Sequence, residues 1–119
     1  MLIEIIEPNF KNVSDRGILL QLVRDGWKQV NVVKYRKGAI GGGHYHKYNK
    51  ECFFVVTGRI ELTVWKGDDK EQYIFNEGDM FVIEESVFHT FVYQEDSILV
   101  ALYDNGVELD KDTKDIWSE

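Results

Sequence analysis

The sequence predicts an all-β fold, either an antiparallel sandwich or a closed barrel, for this chain of 119 residues. Short apolar or alternating segments recur along most of the chain, and turn residues separate them. Ten glycines against a single proline indicate that glycine makes most of the turns. Hydrophobic residues form 44% of the chain, which is enough for a packed core without disulfide or zinc support. We therefore expect a single domain over residues 1–119.

The first part of the chain predicts strands over 2–6, 18–23, 27–36 and the segment around 44–46. The valine-rich segment 27–36 alternates in polarity, which is typical of a strand with one buried face. Three consecutive glycines, Gly41, Gly42 and Gly43, precede the last of these strands. They could hold a phosphate or let two strands approach closely. Because no helix start follows them, we favour close approach.

The rest of the chain predicts strands over 51–57, 59–65, 72–75, 80–83, 89–93 and 98–103. Ile60, Leu62 and Val64 alternate with polar residues, so their side chains should share one buried face. Glycine and aspartate between residues 66 and 70 indicate a hairpin turn. The acidic tail, 104–119, is expected to form a short helix or an arm docked by Ile116 and Trp117.

Charge and cysteine content narrow the possible partners and compartments. The formal net charge of −7 repels phosphate backbones, so we expect no nucleic-acid partner. The single cysteine, Cys52, can form no internal disulfide, which is typical of a reducing compartment. No apolar stretch reaches the length of a membrane span, and the N-terminus lacks the pattern of a signal peptide. These features predict a cytoplasmic protein without membrane association.

The three histidines of the chain provide the main functional clue. His44 and His46 are two residues apart, so on a strand both side chains would point into the same space. Glu51 opens the next apolar strand, and His89 lies on another one. Three imidazoles and a carboxylate suit a divalent transition metal (Zn, Mn, Fe, Ni or Co) with coordination positions left open. Burying a carboxylate among imidazoles without a cation would also be unfavourable.

Side chains that share the parity of these residues are expected either to line a substrate pocket or to pack in the core. They are Phe53, Val55, Phe91 and Tyr93. Tyr93 is the candidate catalytic residue, as an acid or as a hydrogen-bond donor to substrate. Cys52 neighbours Glu51 and should therefore face away from the metal, in outer packing.

The spacing of these residues resembles the first motif of the cupin family: a glycine, five residues, His-x-His, three or four residues, Glu, six residues and a glycine. The matching positions are Gly38, His44, His46, Glu51 and Gly58. The second motif is a glycine, five residues, Pro-x-Gly, two residues, His, three residues and Asn. Gly78 and His89 match it, whereas Glu84, Ser86 and Tyr93 stand in place of its proline, glycine and asparagine.

The resemblance covers about residues 27–103 and implies a jelly-roll barrel with a metal inside, near its wider mouth. The implied ligands are His44, His46, Glu51 and His89. Cupins are frequently dimers, so the resemblance also implies a homodimer. Its subunits would pack through apolar surface outside the barrel, which we expect from Phe54, Val56 and the strand over 2–6.

The segments 42–47 and 53–58 resemble more closely the cupins that process nucleotide-linked deoxysugars, the epimerases and keto-isomerases. In the keto-isomerases the paired histidines act as acid/base groups without a metal, and the glutamate position is commonly glutamine, so Glu51 favours a metal here. The resemblance implies a metal-dependent isomerase or epimerase acting on a small carbonyl compound such as a nucleotide sugar, whose diphosphate would need a basic residue such as Arg36 or Arg59. The alternatives are a metal-dependent oxygenase and a non-enzymatic protein that binds a small ligand.

Overall fold

In the computed structural model, residues 1–118 are described, and they form eleven β-strands and no helix. The strands are β1 (Ile3–Ile6), β2 (Phe10–Ser14), β3 (Gly17–Gln21), β4 (Gln29–Tyr35), β5 (Ile40–His44), β6 (Glu51–Thr57), β7 (Arg59–Lys66), β8 (Asp69–Asn76), β9 (Met80–Ile83), β10 (Phe88–Tyr93) and β11 (Ser97–Tyr103). Every strand pairing is antiparallel, so the predicted fold class is confirmed. The described residues therefore contain no helix that could cross a membrane.

Two sheets face each other in a jelly-roll arrangement. The five-stranded sheet has the order β1-β9-β6-β11-β4, and the four-stranded sheet has the order β5-β10-β7-β8. β4 and β5 are thus the edge strands on one side of the interior, while β8 closes the four-stranded sheet on the other side. This asymmetry matters because the two sides of the interior are filled differently.

Alternate residues of the facing strands build the main core between the sheets. Ile60, Leu62 and Val64 are each 0% exposed, as their alternation predicts. On the side of β8 and β9, aromatic rings stack. The Phe75 and Phe81 centroids are 4.1 Å apart, and the Phe53 and Phe81 centroids are 5.3 Å apart. This side of the interior is packed with apolar side chains.

A second, smaller cluster covers the outer face of the five-stranded sheet. Cys52 lies there at 0% exposure, on the opposite face from the residues that point between the sheets. β3 ends at Gln21, and Leu22, Val23 and Trp27 pack over this face. Phe54 is therefore already covered within the chain. The expectation that the first strand lies outside the barrel is wrong for Ile3, which packs in the main core.

Within the described residues, the hairpin of β2 and β3 pairs with no other strand. β2 is a strand that the sequence pattern does not predict, because Lys11, Asn12 and Ser14 interrupt its apolar residues. Every residue of the hairpin strands is exposed, including Val13 and Ile18.

The tail forms an arm: residues 104–118 contain no helix, so the helical alternative is wrong. The arm folds back on itself at the bridge between Glu108 and Lys114 and reaches Tyr45 through Trp117. Ile116 stays 46% exposed, whereas Asp115 is fully buried. A buried carboxylate therefore docks the arm beside Trp117, and the buried apolar residue of the arm is Val107 rather than Ile116.

Candidate metal centre and its cavity

The three histidine side chains meet between the sheets, although they come from different elements of the fold. β5 ends at His44, and His89 on β10 pairs with it in register. His46 lies beyond the end of β5 rather than on the strand. The ring centroids are 4.9 Å apart for His44 and His46, 4.8 Å for His44 and His89, and 5.3 Å for His46 and His89. One ligand atom from each ring lies within 4.8 Å of the other two.

Glu51 opens β6 and points its carboxylate into the same space, where it is only 4% exposed. Its Oε1 lies 3.1 Å from Nε2 of His46 and 3.4 Å from Nε2 of His89. Tyr103 at the end of β11 pairs with Glu51 across the sheet, and its hydroxyl helps to lower the pKa of this carboxylate. The four residues that the sequence singles out are therefore close neighbours in the structure.

The second nitrogen of the histidine rings faces the backbone. Nδ1 of His46 lies 2.6 Å from the Asp115 carbonyl oxygen, and Nδ1 of His89 lies 3.2 Å from the Val87 carbonyl oxygen. The Gly42 backbone beside the His44 ring raises the pKa of that ring, although burial and His46 lower it overall. A carbonyl can only accept, so Nδ1 of His46 and Nδ1 of His89 are protonated. In their neutral forms these two rings can then offer the lone pair of Nε2 to the shared space.

Burial and neighbouring charges separate the pKa values of the four groups. Burial lowers the pKa of His89 to about 4 despite the nearby Glu51, and burial and the charge of His46 lower the pKa of His44. Burial would lower the pKa of His46 as well, but the Glu51 carboxylate outweighs it and raises the value. Burial opposes ionisation of Glu51, yet the hydrogen bond from His46 and the nearby histidines hold its pKa below the usual value. His46 is therefore the most basic of the three imidazoles, and its ring lies beside the Glu51 carboxylate.

Backbone geometry at two positions allows this convergence. Gly42 has a φ of +84°, and a Cβ on it would lie 2.7 Å from the carbonyl oxygen of His89. Only glycine therefore lets β5 lie this close to β10. Ser86, at the glycine position of the second motif, has a φ of 63°, and its N–H donates to the His46 carbonyl oxygen at 2.7 Å. The left-handed backbone is thus present at this position although the residue is not glycine.

A cavity of about 120 Å³ lies beside the histidines, between the edges formed by β4 and β5. Besides His44, Glu51 and His89, its polar side chains are Asn31, Tyr35, Tyr93 and Tyr103. No lysine or arginine lines this cavity within residues 1–118. Burial raises the pKa values of Tyr93 and Tyr103, so both phenols are neutral hydrogen-bond donors near pH 7.

The structure places three of the four predicted pocket residues on the cavity wall. They are Phe53, Phe91 and Tyr93. Val55 instead lies in the main core at 0% exposure. Arg36 lines a separate surface groove, and Arg59 starts β7 without reaching the cavity wall.

Sequence reasoning missed three polar cavity residues, Asn31, Tyr35 and Tyr103. The alternation of inward-facing and outward-facing residues along the strands could have identified them. Asn31 and Tyr35 share the parity of Val33 on β4, and Tyr103 shares the parity of Ala101 on β11.

Comparison with known proteins supports the architecture. A family model for the cupin domain matches residues 31–103. No curated protein sequence matches the chain significantly. Among solved structures, a 3,4-ketoisomerase from Helicobacter canadensis is similar, with a TM-score of 0.83 at 15% identity over 100% of this chain and 92% of that chain.

Two further structures extend this likeness. One is a variant of the 3,4-ketoisomerase from Thermoanaerobacterium thermosaccharolyticum in complex with TDP-4-keto-6-deoxyglucose, with a TM-score of 0.77 at 16% identity over 95% of this chain and 85% of that chain. The other is the dTDP-4-dehydrorhamnose 3,5-epimerase from Sulfolobus tokodaii, with a TM-score of 0.74 at 25% identity over 87% of this chain and 70% of that chain. The structural neighbours are thus sugar ketoisomerases and epimerases, and the chain itself belongs to the cupin domain family.

Proposed function

We propose that this chain is a metal-dependent isomerase or epimerase that acts on a small carbonyl compound, with nucleotide-linked keto sugars as the first candidates. The observation that supports the metal most strongly is the hydrogen-bond pattern of the histidines. His46 and His89 each donate one N–H to a backbone carbonyl, and all three rings meet beside the buried Glu51 carboxylate. Histidines that bind metals are typically oriented in this way. The sugar-isomerising structural neighbours support the reaction class.

His44, His46, Glu51 and His89 would hold the ion, and their nitrogen and carboxylate donors suit a divalent transition metal. The chemistry that such an ion supplies is Lewis-acid polarisation of a carbonyl oxygen. Tyr103 lies beside Glu51 on the cavity wall, and the neutral phenol of Tyr93 can donate to a substrate oxygen in the cavity.

Isomerisation of a keto sugar removes the C–H and O–H protons from the hydroxyl-bearing carbon beside the carbonyl, and it adds one proton to the former carbonyl carbon and one to its oxygen. Tyr93 lies on the cavity wall with the edge of Tyr35 against it, at 5.1 Å between ring centroids. Phe53 and Phe91 form the apolar part of the same wall and limit the access of water. These residues would orient a small carbonyl compound between Tyr93 and the histidines.

The test is proton exchange in deuterated water, followed by NMR, with TDP-4-keto-6-deoxyglucose as the substrate. We expect deuterium beside the carbonyl and formation of the isomeric ketone, both abolished by a chelator and restored by the metal. Y93F should lower the rate while metal content stays unchanged, and a matched Y48F change at an exposed tyrosine outside the cavity should have no effect. Absence of exchange, together with no shift of the melting curve by any nucleotide sugar, would contradict the sugar-isomerase assignment.

The cavity itself supports a second candidate, a metal-dependent oxygenase for a small uncharged organic molecule. A volume of about 120 Å³ leaves no space for a nucleotide, and no basic side chain lines the wall to bind a diphosphate. A nucleotide would have to lie outside, on the rim. Oxygen uptake by iron-loaded protein with small organic substrates, without isomerisation of any keto sugar, would favour the oxygenase.

We also propose that the protein forms a homodimer through the β2–β3 hairpin. A two-stranded hairpin alone is only marginally stable in water, yet within residues 1–118 this one pairs with no other strand. Val13 and Ile18, which pair on the face towards the groove, are 66% and 63% exposed. A groove of about 500 Å³ separates it from Phe54 and Val56 on the outer face of the five-stranded sheet. A second copy, offering the same apolar surface, would fill this groove.

Light scattering after gel filtration tests the dimer. I18K places a charge on the face of the hairpin that lines the groove and should yield a monomer. N12K is the matched control, because Asn12 pairs with Leu19 on the opposite face of the same hairpin. A monomeric wild-type protein at micromolar concentration would contradict the dimer.

A further inference from the structure

The C-terminal arm (residues 104–118) is anchored by a buried carboxylate. Asp115 is 0% exposed, and its two oxygens accept four hydrogen bonds of 2.7 to 2.9 Å. The donors are the backbone N–H groups of Lys47 and Tyr48, the Asn49 side-chain amide and the Trp117 indole. Three of these four donors belong to the residues that directly follow His46. The carboxylate therefore fixes the backbone of the segment on which this histidine lies.

The same residue also fixes the ring. The Asp115 carbonyl oxygen accepts a hydrogen bond from Nδ1 of His46 at 2.6 Å, which leaves Nε2 facing Glu51 at 3.1 Å. His46 needs this support because it lies beyond the end of β5, where no sheet ladder holds it. The arm also supplies the bridge between Tyr45 and Trp117, while the His46 carbonyl oxygen accepts a hydrogen bond from the Ser86 N–H outside the arm.

We propose that the arm is a functional part of the metal centre and that Asp115 is the positioning residue for His46, so that docking of the arm and binding of the metal strengthen each other. This inference rests on the proposed metal-binding function. The coupling follows from geometry: an undocked arm releases Nδ1 of the His46 ring and the backbone N–H groups of Lys47 and Tyr48 together, and the orientation of this ligand then has to be fixed by the metal itself. Coupling between two binding events is reciprocal, so the metal must also stabilise the docked arm.

The primary test compares D115N with D110N by competition between the protein and a chelator for Co²⁺, with the cobalt absorption spectrum recorded for each. In D115N one oxygen becomes an NH₂ group, which faces two hydrogen-bond donors however the amide is turned. Asp110 lies on the same arm and accepts only local hydrogen bonds from Asp112 and Thr113. We expect the Kd of D115N to rise by about tenfold to 100-fold with an altered spectrum, in the range typical for residues that orient metal ligands. D110N should match the wild type.

The second measurement needs no variant, so it remains decisive if D115N does not fold. Hydrogen exchange of the wild-type protein with and without Co²⁺ should show slower exchange at the amides of Tyr45, Lys47, Asp115 and Trp117 when the metal is bound. Amides of the β2–β3 hairpin serve as the internal reference and should not change.

The outcomes separate this inference from the proposed function. Wild-type affinity in a folded D115N, or unchanged exchange of the arm amides in a protein that binds Co²⁺, overturns the inference and leaves the metal site standing. A wild-type protein that binds no Co²⁺ overturns both.

Discussion

The two sides of the interior are built from neighbouring strands but are filled in opposite ways. On the side of β8 and β9, Phe75 and Phe81 stack at 4.1 Å with an interplanar angle of 9°, and apolar side chains fill the space. On the side of β4 and β5, a cavity remains beside His44, with tyrosine hydroxyls and a buried carboxylate around it. Strand β6 contributes side chains to both sides of the interior, because Glu51 and Phe53 are consecutive inward-facing residues. The inward-facing residue at each position therefore decides whether that part of the interior is packed for stability or holds polar groups for chemistry.

The largest expected effect is on the packed side. F81A removes a side chain that is 0% exposed and stacked between other phenylalanines, and it should lower the free energy of unfolding by about 3–5 kcal/mol. Urea denaturation of the metal-free protein measures this loss. F10A is the control, since Phe10 is 50% exposed on the hairpin. A loss no larger than that of the control would mean that the aromatic stack does not carry the stability.

The next largest effect is expected on the side of β4 and β5, where the cavity lies. E51Q keeps the size of the side chain but removes the charge that faces His46 and His89, and metal affinity should fall by about 100-fold. The unfolding free energy of the metal-free protein should change far less than in F81A. E84Q is the matched control, because Glu84 forms only an exposed ion pair with Lys50 at 3.7 Å. Equal metal affinity in E51Q and E84Q would remove Glu51 from the ligand set.

Substitutions at Gly42 and Gly43 test the close approach of β5, which carries His44, to β10, which carries His89. G42A and G43A both place a Cβ on a left-handed backbone, at φ +84° and +78°. Only the new Cβ at position 42 meets the His89 carbonyl oxygen, whereas the one at 43 meets nothing within 4 Å. Both variants should lose about 1–2 kcal/mol of stability from the backbone strain. G42A alone should also lose metal affinity, measured by chelator competition, and equal affinities would mean that the contact with His89 does not shape the site.

The smallest expected effect is a pH dependence of metal affinity at the histidines beside the cavity. The Glu51 carboxylate raises the pKa of His46 against the effect of burial, so a proton competes with a metal at this ring as the pH falls. His44 and His89, whose pKa values are lowered, compete less. Below the pKa of His46, the metal Kd should rise by about tenfold for each pH unit. A Kd that stays constant between about pH 8 and about pH 6 would contradict the assignment of His46 as a ligand.

Local patterns were sufficient to predict much of the fold. The strand over Met80–Ile83 and the buried face of Ile60, Leu62 and Val64 follow from alternation and glycine-containing turns alone. The motif spacing also predicted that His44 and His89 lie close together. Each of them lies in a strand, where the parity of a position fixes the direction of its side chain.

Contacts between distant segments could not be predicted in this way. His46 was expected to point inward as a strand residue, yet it lies beyond β5, and its orientation depends on Asp115, which is 69 positions away along the chain. Tyr103 reaches Glu51 only because β11 pairs with β6. The hairpin strand over Phe10–Ser14 lacks alternation, since neither of its faces is buried within the chain.

Metal analysis by mass spectrometry, on protein purified without chelator or nickel resin, tests the central claim most directly. We predict about one equivalent of a divalent transition metal per chain. After metal removal, Co²⁺ should raise the melting temperature of the wild-type protein and should have no effect on a variant in which His44, His46, Glu51 and His89 are all alanine. A wild-type protein that carries no transition metal and whose melting temperature no divalent ion changes would contradict the account.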